Sequence, residues 1–418
     1  MTDPIRILHF ADVHIGMERY GRIDAATGVN SRVMDFLRRL SDLVDYAISQ
    51  SVDLVIFAGD AYKSRNPNST YRREFAWRIK QLADRGIPVV MLPGNHDLPA
   101  APNRASTIEI FDTLRVANIH VLEHSSGVTR IETARGPVQI APVPYPYISE
   151  LTSQESYRAV SLAELDRLIT TKLDAIIHDY AATVRQQPDI PAILVGHFSV
   201  DEARTGSEHS IMVGRDVKVS RAALVDDAWD YVALGHIHKH QDLNQGAHPP
   251  VVYSGSLSRI DFGEEREPKG WVLAQVTRGH TDYDFIPHLH REARRFVTLD
   301  CDCRQKDDPL EAILQHIGHK EKLGIIDNAI VRLRLRLTAE QDAMIQERKI
   351  KAALSSAFTV AGIIKEIDWG VRSRLGAISI ESMTPLELLE RYLDISDLPA
   401  ARQKVLLEEA KTIIQESQ

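Results

Sequence analysis

Apolar residues recur in two patterns along the first 290 positions of the chain. Short apolar runs bounded by glycine, proline or polar residues predict strands at 5–10, 54–58, 89–92, 193–195, 231–234, 251–254 and 271–276. Apolar residues at helical spacing predict helices at 31–50, 69–85, 104–114 and 161–186, with Ser31 as the N-cap of the first. This alternation of strands and helices predicts a layered α/β domain with buried sheets.

The pattern changes after about residue 290. Strands at 295–301, 329–337 and 363–369 and helices at 309–317 and 338–356 predict a small α+β domain. The segment 384–418 predicts two short helices, split at 394–399, with many apolar positions for a charged tail. These helices either pack back on the chain or dock on another protein. We therefore predict three domains, at 1–290, 291–378 and 379–418.

Composition limits the class of protein. A hydrophobic content of 44% with 26% charged residues is typical of a globular protein. No apolar run approaches the roughly 20 residues of a membrane helix, and the first ten residues do not resemble a signal peptide, so we expect a cytoplasmic protein without membrane contact. The net charge of -8 argues against coating of nucleic acid by bulk electrostatics, but it allows a local phosphate site. We assign no metal role to the only cysteines, Cys301 and Cys303.

Five short motifs each follow an apolar, strand-like run. They are Asp12-Val13-His14, Gly59-Asp60, Gly94-Asn95-His96-Asp97, Gly196-His197 and Gly235-His236-Ile237-His238. Parallel strands release their carboxyl ends at one edge of a sheet, so these side chains are expected to meet there. Carboxylates, imidazoles and an amide are ligands for hard to borderline divalent metals. A lone Gly-Asp or Gly-His pair is weak evidence, whereas the two tetrapeptides are much more specific, and the five motifs in this order favour a metal site.

The donors divide into two groups that share one carboxylate. The first ion is expected to have the ligands Asp12, His14, Asp60 and His238. The second is expected to have Asp60, Asn95, His197 and His236. A carboxylate with two oxygens bridges metals that lie about 3.5–4 Å apart. The flanking glycines Gly94, Gly196 and Gly235 are expected to let the backbone turn sharply. The set predicts a two-metal phosphoesterase.

In this order the motifs resemble the calcineurin-like metallophosphoesterase superfamily. The opening ADVHIG and the C-terminal domain resemble its DNA double-strand-break repair nucleases, the SbcD branch. The resemblance implies a four-layer sandwich of two mixed β-sheets flanked by helices, with a small α+β capping domain and C-terminal helices that bind a coiled-coil ATPase of the SbcC type. It also implies two manganese ions, a homodimer, and 3′–5′ exonuclease and endonuclease action on single- and double-stranded DNA, at ends or hairpins.

Further roles follow from this resemblance. His96 resembles the family histidine that stabilises the transition state or protonates the leaving group, and Asp97 is expected to orient its imidazole. Four basic residues are candidates for phosphate contact. They are Lys63 and Arg65, in a basic turn after the second motif, and Arg204 and Arg259, near the late motifs.

Two other functions compete with the nuclease. The same site fits a phosphatase or phosphodiesterase that acts on a phosphoprotein or small phosphoester. A scaffold that binds DNA ends with a degenerate site is disfavoured by the complete ligand set. For the homodimer, the apolar candidates are Tyr71, Phe75, Ile108 and Phe111, which core packing explains equally well.

Overall fold

The computed structural model describes residues 3–99, 104–123, 125–147, 161–206, 216–288, 294–369, 384–394 and 399–416. The chain forms two compact units. The first contains residues 1–298, 324–332 and 356–361, and the second contains 299–323, 333–355 and 362–418. The domain boundaries expected at 290 and 378 stay predictions.

Two six-stranded sheets build the first unit. In spatial order, one sheet contains β14 (His280–Pro287), β13 (Gly270–Thr277), β1 (Ile5–Phe10), β2 (Leu54–Phe57), β3 (Val89–Met91) and β4 (Ile119–Val121). The other contains β11 (Gln241–Asp242), β12 (Val251–Tyr253), β10 (Tyr231–Gly235), β7 (Ala192–His197), β6 (Gly136–Val143) and β5 (Thr129–Thr133). Strands β1 to β4 pair in parallel, as do β6, β7, β10 and β12, while β5, β11, β13 and β14 pair antiparallel. Both sheets are therefore mixed.

The helices cover the outer face of each sheet. Their bounds are Ser31–Ser49 (α1), Ser69–Asp84 (α2), Ile110–Thr113, Leu162–Val184 and Arg221–Leu224, with a 3-10 turn at Phe262–Glu264. Ile7 of β1 packs with Ile193 of β7 in a core between the sheets. The next residue of β1, Leu8, packs instead with Leu40 of α1. Side chains alternate across a strand, so both faces of each central strand are buried. The expected four-layer sandwich is confirmed.

Two local predictions for these helices are wrong. Asn30, not Ser31, caps α1, because its side chain accepts from the Arg32 amide. The helix expected over 104–114 contains only Ile110–Thr113. Thr107 is held by Asp97 instead, through its amide at 2.9 Å and its hydroxyl at 3.1 Å. This tertiary contact keeps the preceding residues out of the helix.

The apolar dimer candidates lie mainly in the core. Phe75 and Ile108 are fully buried and Phe111 is 6% exposed, in the cluster that joins α2 to the first sheet. Core packing therefore explains these three residues. The same helices expose other apolar side chains: Trp77, Ile110 and Leu114.

The second unit is smaller and mixed in class. Strands β15 (Phe296–Asp302), β16 (Ile330–Thr338) and β17 (Thr359–Asp368) form a sheet with β16 in the middle, and their residues from Leu299, Leu333 and Gly362 onward belong to this unit. In the first unit, β8 (Ser199–Val200) pairs with β9 (Lys218–Val219). The second unit's helices are Pro309–Lys322, Ala339–Asp342, Glu347–Ala353, Pro385–Asp394 and Ala400–Glu416. The single helix expected over 338–356 is thus two short ones. Cys301 and Cys303 are buried, and burial raises the pKa of Cys301 to about 12. Among the described residues, none of the helices has the length and apolar character that crossing a membrane requires.

Candidate metal centre

The five motifs meet at the carboxyl ends of β1, β2, β3, β7 and β10. His197 is the last residue of β7, and the other donors lie one to four residues after the ends of their strands. All seven predicted metal ligands are at most 3% exposed: Asp12, His14, Asp60, Asn95, His197, His236 and His238. Side chains that are more than 200 residues apart in sequence therefore share one buried site, as the strand-end argument predicts.

The first predicted group is compact. The Nε2 atoms of His14 and His238 lie 2.9 Å apart. From His14 Nε2 the nearest carboxylate oxygens are those of Asp60, at 3.8 Å, and Asp12, at 3.9 Å. The donor atoms of Asp12, His14 and His238 fall within 4.8 Å of one another, a spacing that one metal ion can span.

The second predicted group is equally compact. His197 Nε2 is 3.1 Å from Asn95 Oδ1 and 3.4 Å from Asp60 Oδ2. His236 Nδ1 is 3.2 Å from the same Asn95 oxygen. Asp60 Oδ2 is therefore close to a donor of each group, as the predicted bridging carboxylate requires.

Backbone strain concentrates at these donors. Asp12, His14, Asp60 and His236 have positive φ angles of 53°, 50°, 64° and 96°. Residues other than glycine rarely adopt this left-handed region, and such strain persists where the surrounding structure enforces it. The chain accepts it at four donors, which is typical of a functional site.

Glycines are required here for close approach. A Cβ on Gly94 would lie 2.2 Å from Asp60 Oδ1, and one on Gly235 would lie 2.1 Å from the Ala58 carbonyl oxygen. Neither glycine has a positive φ angle. These two glycines are therefore not needed for the expected sharp turn. They are needed because a side chain at either position would clash with its neighbours.

Outer partners fix the imidazoles. His238 Nδ1 is 2.8 Å from Glu264 Oε1, and His197 Nδ1 is 2.7 Å from the Ala58 carbonyl oxygen. Each contact places a proton on Nδ1 and leaves Nε2 as the metal-facing donor. Sequence reasoning missed Glu264, which lies in a run of charged residues without a motif.

His96 is buried beside the donors. Its Nε2 is 4.0 Å from Asp60 Oδ2, and its Nδ1 is 2.6 Å from the Lys63 carbonyl oxygen. That carbonyl, rather than Asp97, orients the imidazole.

Asp97 instead holds the backbone around Asp60. Its carboxylate accepts from the amides of Asp60 at 2.7 Å, Ala61 at 3.1 Å and Gly94 at 3.1 Å. This corrects the expected pairing with His96 and makes Asp97 a positioning residue. Burial, followed by the charge of Asp60, raises the pKa of Asp97 to about 7.

The electrostatics of the centre favour a cation. Burial opposes ionisation of Asp60, yet the imidazoles of His197 and His96 outweigh it and hold its pKa well below the usual value. Burial also opposes protonation of His197, but nearby carboxylates, Asp60 first, raise its pKa to about 9. Metal binding displaces protons from such donors. Oxygen and imidazole donors, buried and clustered, fit divalent metals.

The four basic candidates occupy different environments. Lys63 and Arg204 are exposed, and Arg65 donates through Nε to the Asn95 carbonyl oxygen at 3.3 Å. The guanidinium of Arg259 donates to the carbonyl oxygens of Glu264 and Glu267 at 3.1 and 2.7 Å. Arg259 therefore braces its own loop, whereas Lys63 and Arg65 remain beside the metal donors.

A protein-family model and several known proteins match this chain. A family model described as calcineurin-like phosphoesterase matches residues 5–240. The chain is 29% identical over 289 residues to the SbcD component of the SbcCD nuclease of Bacillus subtilis (strain 168), covering 66% of this chain and 67% of that protein. It is 27% identical over 279 residues to the same component from Escherichia coli (strain K12), covering 66% of each. It is 25% identical over 291 residues to "Uncharacterized metallophosphoesterase YhaO" of Bacillus subtilis (strain 168), covering 68% of this chain and 60% of that protein.

The chain thus spans about two thirds of the length of these relatives. The matched segment, 5–240, contains all seven clustered donors, and its fold implies a metal-dependent phosphoester hydrolase. With two mixed sheets, a shared strand-end site and a match to more than half of its residues, the chain belongs to the calcineurin-like phosphoesterase family.

Proposed function

We propose that this protein is a DNA nuclease that uses two divalent ions, assigned as Mn²⁺ on the family resemblance, to hydrolyse phosphodiester bonds. The position of Asp60 carries the proposal: its Oδ2 lies 3.8 Å from His14 Nε2 and 3.4 Å from His197 Nε2. One carboxylate oxygen therefore faces a donor from each group. When bound, such a metal pair supplies a hydroxide near neutral pH and neutralises charge on the phosphate.

His96 serves the leaving group in this proposal. The Lys63 carbonyl accepts from Nδ1 and fixes one proton there, so a proton on Nε2 is the one available to the departing oxygen. The exposed Lys63 side chain and the half-buried Arg65 beside it add positive charge for a phosphate backbone.

The DNA substrate rests on the relatives named as components of the SbcCD nuclease. By the same resemblance we propose 3′–5′ exonuclease and endonuclease action in DNA repair, with an SbcC-type ATPase as partner. The C-terminal helices are the proposed contact, because Tyr392, Val405 and Leu406 are exposed on them.

A homodimer through α2 and the Ile110–Thr113 helix would use Trp77, which is 58% exposed. Trp77→Ser should then give a monomer by light scattering, and an unchanged dimer would exclude this interface.

The central experiment offers two substrate classes to the purified chain. Single- and double-stranded DNA, labelled at the 3′ or 5′ end, is incubated with manganese beside p-nitrophenyl phosphate, with and without the ATPase. We expect DNA cleavage. Hydrolysis of the monoester with intact DNA would favour a phosphatase instead.

The matched variants are His96→Ala and His280→Ala. Loss of the His96 imidazole should slow cleavage by about 10²–10⁴-fold while two manganese equivalents still bind. His280, 70% exposed on the edge strand β14, controls for loss of any histidine. Wild-type cleavage by His96→Ala would remove the assigned role.

A further inference from the structure

A cavity lined by cationic side chains lies in the first unit and contains none of the metal donors. It is a cavity of about 190 Å³ beside α1. Arg32, Asp35 and Arg39 line it from one face of that helix, since residues three, four and seven apart lie on the same side. Its cationic lining residues are Arg32, Arg38, Arg39, Arg259, Lys269 and Arg294.

One carboxylate serves three of these guanidinium groups. Asp35 Oδ2 lies 3.1 Å from Arg32 Nη1 and 2.6 Å from Arg294 Nε. Arg38 Nη1 lies 3.9 Å from the other oxygen. A single negative charge cannot balance three positive ones, so this wall carries excess positive charge.

The opposite wall is closer to balance. Lys269 Nζ lies 3.1 Å from Glu264 and 2.9 Å from Glu267. On the α1 side of the cavity, Arg39 pairs with Asp42 at 3.1 Å. Within ion-pair distance, and counting only residues that the structure describes, the six cations therefore meet four carboxylates, which leaves two positive charges in excess.

Arg39 provides an independent observation. Its side chain is almost fully buried, and its Nη1 atom is a buried donor with no hydrogen-bond acceptor among the described residues. A buried donor without an acceptor is unfavourable. An oxygen-rich anion in the cavity that Arg39 lines would supply acceptors of the required kind.

The chemistry favours a phosphate-type oxyanion. Guanidinium groups bind phosphate oxygens with paired, charge-assisted hydrogen bonds, and burial strengthens the attraction. The cavity volume of about 190 Å³ exceeds the roughly 10–15 Å³ needed for one water. This volume is large enough for a small anion and its water. A neighbouring cavity of about 400 Å³ shares Arg38 and Arg294 and offers room for a nucleoside. It is lined by Phe358, whose ring already contacts the guanidinium of Arg294 at 3.5 Å from the ring centroid.

We propose that the cavity lined by Arg32, Arg38, Arg39 and Arg294 binds a phosphate oxyanion, either free or as the terminal phosphate of a mononucleotide. Lys269 places it next to the metal centre, because its Nζ donates to the His238 carbonyl oxygen at 2.9 Å. The site is nonetheless independent of the proposed nuclease activity. Its test therefore uses the full chain freed of metal with a chelator.

Inorganic phosphate and deoxyadenosine monophosphate are each titrated calorimetrically into the wild type and two variants. Arg38→Gln removes a cavity cation whose side chain is 55% exposed, so the fold should tolerate it. Arg73→Gln removes the same charge from an exposed position on α2. We expect the wild type to bind one phosphate equivalent. Arg38→Gln should bind phosphate about tenfold more weakly, because it loses one charge-assisted hydrogen bond. Arg73→Gln should bind phosphate as tightly as the wild type.

The two ligands distinguish the sources of the phosphate. Tighter binding of the mononucleotide assigns a nucleotide site, and equal or weaker binding assigns a site for the free ion. Arg39→Gln should also abolish the rise in Tm that phosphate gives the wild type. If Arg39→Gln does not fold, Arg38→Gln still decides. The proposal is overturned if the wild type binds no phosphate, if Arg38→Gln binds it as tightly as the wild type, or if both charge variants weaken it equally.

Discussion

Replacing Glu264 tests whether a carboxylate outside the donor set controls the metal centre. Glu264 is fully buried and contacts His238 Nδ1 at 2.8 Å and Lys269 Nζ at 3.1 Å. Burial opposes its charge, but Lys269 and His238 outweigh burial and lower its pKa below the usual value. Glu264→Ala removes both the anchor of the imidazole and half of a buried ion pair.

The expected magnitudes follow from these two contacts. Loss of the carboxylate behind a metal-binding histidine weakens metal affinity by about 10–100-fold. Breaking a buried ion pair costs about 3–5 kcal/mol, and the lower end applies because Glu267 still lies 2.9 Å from Lys269. A loss of about 3 kcal/mol lowers Tm by about 5 °C in a unit of about 310 residues, because the entropy of unfolding is about 2.1 cal/mol/K per residue.

Glu267→Ala is the matched control. Glu267 shares Lys269 but reaches the metal donors only through it, so its loss should reduce Tm without weakening manganese binding. Calorimetric titration of manganese and differential scanning calorimetry measure the two quantities separately. Equal effects of the two substitutions on manganese affinity would refute the assigned role of Glu264.

Three further changes have defined outcomes. Gly94→Ala places a Cβ 2.2 Å from Asp60 Oδ1 and should weaken manganese binding by more than about tenfold, because it displaces a ligand. Gly318→Ala has open space around its Cβ and should leave manganese affinity unchanged. Equal manganese affinities in calorimetric titrations of the two variants would contradict this prediction. Phe75→Ala should cost about 3–5 kcal/mol of unfolding free energy, since Phe75 is fully buried, and a loss below about 1 kcal/mol by urea titration would place it outside the core. Burial lowers the pKa of His9 to about 3, so only the unfolded chain takes up its proton below pH 6.5, and stability falls by about 1.4 kcal/mol per pH unit from this group. His9→Gln should lose about 2 kcal/mol less than the wild type between pH 7 and pH 5, and parallel stability curves would exclude the linkage.

The central strands other than β6 could be predicted from sequence because both of their faces are buried. Strands β1, β2 and β10 are runs of apolar residues bounded by polar ones. The edge strands β5 and β14 escaped prediction. Thr129–Thr133 and His280–Pro287 consist largely of polar or charged residues that face solvent, so hydrophobic pattern alone does not mark them.

The metal donors could be predicted for a related reason, but the groups that orient the imidazoles could not. Each donor follows an apolar strand, which places it at the common edge by topology alone. Glu264, in contrast, reaches His238 from a 3-10 turn 26 residues later, among other acidic residues of no distinct pattern. The partner of His96 is a main-chain carbonyl. Every residue has such a carbonyl, so the residue type does not indicate which one makes the contact.

The strained loops explain why carboxylates in this site do more than hold metal. Asp97 accepts from the Asp60 amide at 2.7 Å, and Asp60 Oδ1 in turn accepts from the His96 amide at 2.8 Å. Asp12 accepts from the His236 amide at 3.1 Å. The left-handed conformations of Asp60 and His236 are thus each stabilised by a carboxylate from another strand end. These bonds join the end of β1 to that of β10 and the end of β2 to that of β3, so in each pair a carboxylate of one loop fixes the backbone of the other.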